Sequence, residues 1–89
     1  MASYKVFFRK SAGKELGRLP KVVLQRIISR IESLAMDPRP TGCEKLAGRE
    51  LYRLRQGDYR IVYSIQDNEL TIWIIKIGHR KDIYKRLKT

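Results

Sequence analysis

Four arginines in the second half of the chain have the chemistry and the spacing of a phosphate site. Three of them lie within the segment LYRLRQGDYRIVY, from Leu51 to Tyr63, and the fourth, Arg80, follows a long apolar run. Arginine binds phosphate oxygens through two parallel hydrogen bonds, a geometry that lysine does not offer. Several guanidinium groups on one surface repel one another unless an anion neutralises them. The arginines therefore predict an anionic ligand, and the backbone of a nucleic acid fits best.

Strand periodicity is what would bring these arginines together. Side chains alternate between the two faces of a strand, so Arg53 and Arg55 share one face and Leu54 takes the other. In the next strand the apolar set has to meet the helices, which turns Arg60 to the opposite, open face. We therefore expect these three guanidinium groups on the open face of the sheet. Arg80 is expected just beyond the end of the last strand.

A cationic site of this kind could also cleave RNA, because RNA carries its own nucleophile. The protein would have to orient the 2′-hydroxyl in line, take up its proton, stabilise the phosphorane and protonate the leaving 5′-oxygen. Fixed cations supply the electrostatic part of this task. The usual base would be a histidine or a glutamate. His79 is the one histidine, although it could equally be a plain surface residue, and Tyr84 is a second candidate because nearby cations stabilise its phenolate.

Composition narrows the class of protein. The chain has 89 residues and a net charge of +11, which fits one small domain whose partner is nucleic acid, an acidic protein or an anionic membrane surface. The acidic residues are scattered, so no metal site and no cofactor are predicted. A single cysteine, Cys43, allows no intramolecular disulfide, and with no signal peptide recognised we expect a cytoplasmic protein. No apolar run reaches the ~20 residues of a membrane span, so no spanning segment is predicted. Of the three kinds of partner, the arginines favour nucleic acid, and no membrane is among the expected partners.

The N-terminal half is expected to supply the layer that covers the sheet. Residues 3–8 are rich in β-formers and predict a first strand. A short helix is predicted over residues 11–19, with Ser11 as its N-cap. A longer helix is predicted over residues 21–36, where apolar residues recur at spacings of three and four.

The C-terminal half is expected to form most of the sheet. Residues 40–48 are predicted to be a loop, and residues 78–89 to form a last helical turn or to remain mobile. Between them, turn-forming residues separate three predicted strands, at 51–55, 59–65 and 70–77. The predicted fold is α+β, a single domain over residues 1–89. It has two N-terminal helices on one face of an antiparallel sheet of about four strands, in the order β-α-α-β-β-β with a short C-terminal helical turn.

Three segments carry a resemblance to a known family: LYRLRQGDYRIVY, IKIGHRKDIY further along, and Lys45-Leu46 upstream. In these segments and in the order of its elements the chain resembles the RelE/ParE superfamily of toxin–antitoxin toxins, and within it the RelE type. The resemblance implies a RelE-like microbial RNase fold. It implies an mRNA interferase, which cleaves messenger RNA in the ribosomal A site without a metal and leaves a 2′,3′-cyclic phosphate. It also implies a small, acidic, RelB-like antitoxin as partner, and operator DNA as a target of the toxin–antitoxin complex.

The resemblance also implies roles for individual residues. Arg60 matches the arginine that stabilises the phosphate in the transition state, and Arg80 matches the arginine that helps the leaving group. Tyr84 matches a tail tyrosine that stacks on a base and orients the nucleophile. Arg53 stands where relatives carry a basic residue that acts as base or as electrostatic support, although an arginine is poorly suited to the role of base. The further RNA contacts expected are Arg55, His79, Lys45, Lys81 and Lys85.

Two points stay open in the sequence. Some members of the superfamily use pairs of glutamate and histidine, so His79 could inherit the role of base. ParE-type members poison DNA gyrase without cleaving RNA, and an inactive toxin would act only as co-repressor with its antitoxin. Because Arg60, Arg80 and Tyr84 occur together here, the resemblance favours the nuclease.

Overall fold

The structure, a computed structural model, describes residues 3–83 of the chain. Tyr84 and Lys85, two of the predicted site residues, lie outside the described residues. The predicted α+β fold is confirmed, with two helices packed against a single sheet. The elements are β1 (Lys5–Phe8), α1 (Lys10–Gly17), α2 (Lys21–Met36), β2 (Glu44–Lys45), β3 (Tyr52–Gln56), β4 (Tyr59–Gln66), a 3-10 turn (Asp67–Glu69) and β5 (Thr71–His79). None of the helices within residues 3–83 is long and apolar enough to cross a membrane.

The two helices follow the apolar periodicity of the sequence. The bounds of α2 are those predicted, and its buried side chains are Ile27, Ile31 and Leu34. The prediction of Ser11 as N-cap of α1 is wrong, because the cap is Arg9 and it makes no side-chain capping bond. The backbone N–H of Arg9 donates to the carbonyl of Ile74 at 3.0 Å, which keeps Arg9 in the sheet and lets the helix begin directly after it.

Within residues 3–83 the sheet has five strands, in the order β1-β5-β4-β3-β2. The meander of β3, β4 and β5 is antiparallel, as predicted. Two features correct the prediction of an antiparallel sheet of about four strands. The edge strand β1 pairs with β5 in parallel, and the short strand β2 forms within the segment predicted to be a loop. A two-residue strand has no periodicity of its own, so only its pairing with β3 defines it.

The core lies between the helices and one face of the sheet. Its sheet side is apolar on three neighbouring strands, with Leu54 from β3, Ile61 and Tyr63 from β4, and Ile72, Ile74 and Ile77 from β5 all buried. A bulge in β5 keeps this pattern, because Val62 pairs with Lys76 whereas Tyr63 pairs with Ile74. The extra residue lets Ile74 and Ile77 both face the core although their spacing is odd.

Candidate phosphate-binding site

The β3–β4 hairpin places three of the predicted arginines on one surface. Arg55 pairs directly with Arg60, and Arg53 pairs with Val62, so all three share a face. Leu54 and its partner Ile61 are buried on the helix side. The predicted arrangement, with the arginines on the open face, is what the structure has.

A cavity of about 330 Å³ opens between these arginines and the segment that leads into β2. Within the part of the chain that the structure describes, its lining consists of Gly42, Glu44, Arg53, Arg55 and Arg60. Among residues 3–83, three guanidinium groups face one carboxylate there, which gives this lining a formal excess of two positive charges. We call this the arginine cavity, and its charge and size suit a phosphodiester group.

The turn between β3 and β4 orients two of the guanidinium groups. Arg60 Nη1 donates to the carbonyl oxygens of Gly57 at 3.2 Å and Tyr59 at 3.1 Å. Arg55 Nε donates to the same Gly57 carbonyl at 3.4 Å. Gly57 has a φ of +59°, a conformation that costs other residues energy and that glycine adopts freely. The glycine of the GDYRIVY segment therefore aims the carbonyl that holds Arg55 and Arg60 side by side.

Glu44 is the cavity residue that sequence reasoning missed. It pairs with Arg53 across β2 and β3, and its Oε1 lies 2.7 Å from Arg53 Nη2. The carboxylate therefore reaches the arginine cavity from a strand that was predicted to be a loop. Had β2 been recognised, its alternation would have placed Glu44 on the arginine face and Lys45 on the other.

Arg80 lies at the turn of the same hairpin, outside the cavity lining. Its backbone N–H donates to the carbonyl of Asp58 at 2.8 Å, and its Nε is 3.9 Å from Asp58 Oδ1. Asp58 follows Gly57 in the turn, so one turn fixes the positions of Arg55, Arg60 and Arg80. The side chain of Arg80 is about half exposed and does not line the cavity.

His79 lies on the side of the sheet away from the arginine cavity. It is the last residue of β5, two residues beyond the predicted end of that strand, and it pairs with Tyr59. The two rings meet edge to face, with centroids 5.6 Å apart. Tyr59 packs against the core, whereas Arg60 pairs with Gly78 on the opposite face. The structure therefore does not bring His79 to the three arginines that line the cavity.

The two predicted lysine contacts within the described residues also lie apart from the cavity. Lys45 pairs with Tyr52, which packs towards the core, and its Nζ is 3.3 Å from Glu50. Lys81 is exposed in the turn after β5, where its backbone N–H donates to His79 Nδ1 at 3.1 Å. The structure thus joins Arg53, Arg55 and Arg60 in one cavity, and neither Arg80 nor the two lysines are among the residues that line it.

The turn after β5 folds back over the open face beside Arg60. Ile83 is fully buried, and its backbone N–H donates to the carbonyl of His79 at 3.0 Å. A Cβ added to Gly78 would lie 3.3 Å from Ile83 Cδ1, so Ile83 packs directly on this glycine. Val62, also fully buried, lies on the same face. Ile83 therefore covers the open face at Gly78, the residue of β5 that pairs with Arg60.

A second arginine–carboxylate cluster, which we call the Arg39 clasp, joins the end of α2 to the turn before β5. Arg39 contacts Asp67 through two hydrogen bonds, of 2.9 Å and 3.2 Å, and Tyr4 donates to Asp67 at 2.7 Å. Arg39 Nε also donates to the Tyr52 hydroxyl at 3.2 Å. The hydrogen bond from Arg39, followed by that from Tyr4, lowers the pKa of the Asp67 carboxyl.

Comparison with known proteins gives a consistent result. The family described as "ParE toxin of type II toxin-antitoxin system, parDE" matches residues 6–84 of the chain. This chain belongs to the RelE/ParE superfamily of type II toxins. The toxin is 34% identical to Toxin RelG of Mycobacterium tuberculosis over 87 residues, which are 93% of this chain and 98% of RelG.

Solved toxins of the superfamily have the same fold as this toxin. The archaeal RelE–RelB complex from Pyrococcus horikoshii OT3 gives a TM-score of 0.79 at 34% identity, over 88% of this chain and 96% of that one. The intact RelBE toxin–antitoxin complex of E. coli gives 0.75 at 28% identity, over 86% and 96%. The family match extends from β1 through the turn after β5, so the whole arginine cavity lies within it.

Proposed function

We propose that this toxin is a metal-independent endoribonuclease that cleaves messenger RNA in the ribosomal A site and so inhibits translation. The observation that supports the proposal is the arginine cavity on the open face of the sheet, whose described lining has three arginines and one carboxylate. A phosphodiester neutralises that charge, and fixed guanidinium groups stabilise the additional negative charge of a phosphorane.

The proposed mechanism assigns a task to each basic group near the cavity. Arg60 contacts the scissile phosphate in the transition state, and Arg53 supports the attack of the 2′-hydroxyl electrostatically. Arg80 assists the leaving 5′-oxygen from the turn of the hairpin, outside the cavity lining. Tyr84 stacks on a base and orients the nucleophile.

Other basic residues would contact RNA outside the scissile linkage. Arg55 lies within the cavity and would hold the adjacent backbone. Lys45 and His79 lie on the other side of the sheet, so they could contact RNA only outside the cavity. Lys81 and Lys85 would act in the same way from the C-terminal segment.

We also propose a RelB-type, acidic antitoxin as the partner of this toxin. The P. horikoshii and E. coli structures that share its fold are complexes of RelE with RelB. An acidic partner would associate rapidly with a chain of net charge +11, and raising the salt concentration would slow that association. We further propose that the toxin acts in the cytoplasm and that the toxin–antitoxin complex binds operator DNA.

Gyrase inhibition is the second candidate function. The family that matches residues 6–84 carries the name of the ParE toxins, and ParE-type members of the superfamily poison DNA gyrase. The two functions differ in what the toxin damages. Cleavage of messenger RNA leaves cut transcripts and intact gyrase activity. Gyrase inhibition leaves intact transcripts and a loss of DNA supercoiling.

The experiment that tests the proposed function compares three arginine variants in both assays. Wild-type toxin, Arg60→Ala, Arg80→Ala and the control Arg18→Ala, an exposed position just after α1, are added to ribosomes translating a defined message and to gyrase. Primer extension is expected to reveal codon-phased cuts with wild type and the control, and few or none with the other two. Intact message in every reaction, together with inhibited supercoiling by wild type, would replace the nuclease by the gyrase inhibitor.

A further inference from the structure

We propose that a cleft between α2 and the end of β3 is a second phosphate-binding site, which takes a backbone phosphate of ribosomal RNA while the arginine cavity holds the message. The inference rests on the proposed action of the toxin at the ribosome. The cleft has a volume of about 510 Å³, and we call it the helix cleft. Within residues 3–83 it is lined by one apolar and six polar side chains: Val22, Gln25, Arg26, Ser29, Arg30, Ser33 and Gln56.

The polar groups of the helix cleft are those that proteins use to bind phosphate. Arg26 and Arg30 supply two guanidinium groups, and among residues 3–83 no carboxylate lines the cleft beside them. Arginine, serine and glutamine side chains are common donors to the phosphate oxygens of nucleic acids. Because Val22 is the one apolar residue of the described lining, the cleft suits a polyanion better than the apolar core of a protein interface.

The helical repeat places the two arginines of the cleft one above the other on α2. Arg26 and Arg30 are four residues apart, which leaves their Cβ atoms about 5–6 Å from each other. Like charges at this spacing repel each other, and an anion between the two guanidinium groups relieves that repulsion. The hydroxyl of Ser33 donates to the carbonyl of Ser29 at 3.1 Å, so Ser33 bounds the cleft without offering its proton to a ligand.

Arg30 carries a donor that lacks an acceptor within the described residues. Its Nε is buried and has no hydrogen-bond partner among residues 3–83. A buried donor on a charged group costs free energy when it has no acceptor. The residue as a whole is partly exposed, so a small rotation of the side chain turns Nε and a terminal nitrogen together towards the cleft. A phosphate there offers the two oxygens that such a pair of donors requires.

The β3–β4 hairpin separates the helix cleft from the arginine cavity. Gln56 follows Arg55 directly, and side chains alternate along a strand, so the two residues face opposite sides of the sheet. Arg55 lines the arginine cavity on the open side, whereas Gln56 lines the helix cleft on the side of the buried Leu54. A message strand held in the cavity therefore leaves the cleft to another RNA segment. On the ribosome that segment is ribosomal RNA, and the tip of the hairpin lies between the two.

The test compares two double variants that remove the same charge. The cleft variant combines Arg26→Ala with Arg30→Ala, and the control combines Arg9→Ala with Arg18→Ala, at exposed positions on either side of α1. Affinity for ribosomes without message is measured over a range of salt concentrations. The cleft variant is expected to bind about tenfold more weakly than the control, since it loses hydrogen bonds from charged donors. Its slope of log affinity against log salt should be smaller by about one, the effect of one lost phosphate contact.

Two further measurements separate ribosomal RNA from the message, and binding from folding. Affinity for a short message without ribosomes should be the same in the cleft variant and the control. Gln25→Glu adds a carboxylate to the cleft from an exposed helical position and leaves both arginines in place. It should weaken ribosome binding with an unchanged melting temperature, and it decides the matter if the cleft variant melts below wild type.

The possible failures of the proposal are distinguishable. Equal ribosome affinity of the cleft variant and the control, or no effect of Gln25→Glu, would overturn the helix cleft as a phosphate site. An equal loss of affinity for the free message would assign the phosphate to the message and overturn the ribosomal partner. If wild-type toxin binds ribosomes but leaves the message intact, the proposed cleavage fails, whereas the ribosome affinities still decide the role of the cleft.

Discussion

The arginine cavity and the Arg39 clasp both combine arginine with a carboxylate, but they differ in their balance of positive and negative charge. In the clasp one arginine meets one carboxylate through two hydrogen bonds, and two tyrosines complete the contacts. In the cavity, the residues between 3 and 83 bring three arginines to one carboxylate, and two of the guanidinium groups share a backbone carbonyl. The clasp is balanced in charge, whereas the cavity has an excess that a phosphate can neutralise.

This difference in charge balance suggests that the clasp contributes to stability and the cavity to function. The clasp ties together the start of β1, the segment after α2 and the turn before β5, all far apart in sequence. The cavity occupies one hairpin and the segment leading into β2. Changes in the clasp should therefore alter unfolding, and changes in the cavity should alter RNA cleavage.

The largest effect is expected from Arg60 in the cavity. Arg60→Ala should lower the single-turnover cleavage rate by about 10²–10³-fold, the usual result of removing one group that stabilises a developing oxyanion. Arg60→Lys should recover part of the rate, since it restores the charge without the two-pronged geometry. Thermal unfolding should match wild type for both variants. Loss of folding together with activity would contradict the separation of the two clusters.

An intermediate effect is expected from Gly57, whose carbonyl holds Arg55 and Arg60. No neighbouring atom lies within 4 Å of an added Cβ, so Gly57→Ala strains the backbone at φ +59° without a clash. We expect a loss of about 1–2 kcal/mol in the free energy of unfolding, together with slower cleavage. Gly13→Ala is the matched control, because an exposed helical position should gain about 0.5–1 kcal/mol. Chemical denaturation measures the free energy of unfolding of both variants. Equal free energies of unfolding for Gly57→Ala and Gly13→Ala would contradict the predicted strain at Gly57.

The smallest effect is expected from the clasp and concerns acid pH. The lowered pKa of Asp67 means that its ion pair stabilises the fold above the pKa of an unfolded aspartate. That contribution is lost as pH falls through the folded pKa. Asp67→Asn should therefore melt below wild type at neutral pH, and the difference should shrink in acid.

The control for Asp67 is Glu69→Gln, which makes the same charge change in the same 3-10 turn. Neither variant should change the cleavage rate, because both residues lie outside the arginine cavity. Melting curves across the acid range measure the stability difference. If the melting temperatures of Asp67→Asn and wild type differed by the same amount at every pH, the predicted link between stability and the ionisation of Asp67 would be wrong.

Local alternation was enough to predict the arginine face. Arg53 and Arg55 flank a leucine that must be buried, and that constraint alone turns both guanidinium groups to the open side. The helix over residues 21–36 was predictable for a similar reason, since its apolar spacing is continuous. The assigned roles of these arginines stay predictions.

The positions of residues that depend on strand pairing between distant segments could not be predicted from local alternation. Glu44 reaches the cavity because two residues pair with β3, and no pattern in the sequence marks such a short strand. His79 turns away because β5 continues far enough to pair with Tyr59. The parallel pairing of β1 with β5 likewise follows from the arrangement of the whole chain.

The central claim is that the arginine cavity holds a ribonucleotide linkage while its own 2′-hydroxyl attacks. The most direct measurement compares ribosome-bound messages that differ only by a ribose or a 2′-deoxyribose at the nucleotide before the cut. We predict cleavage of the ribose message alone, with a 2′,3′-cyclic phosphate at the new end. Equal cleavage of both messages, or a cut that leaves a different end, would contradict the account.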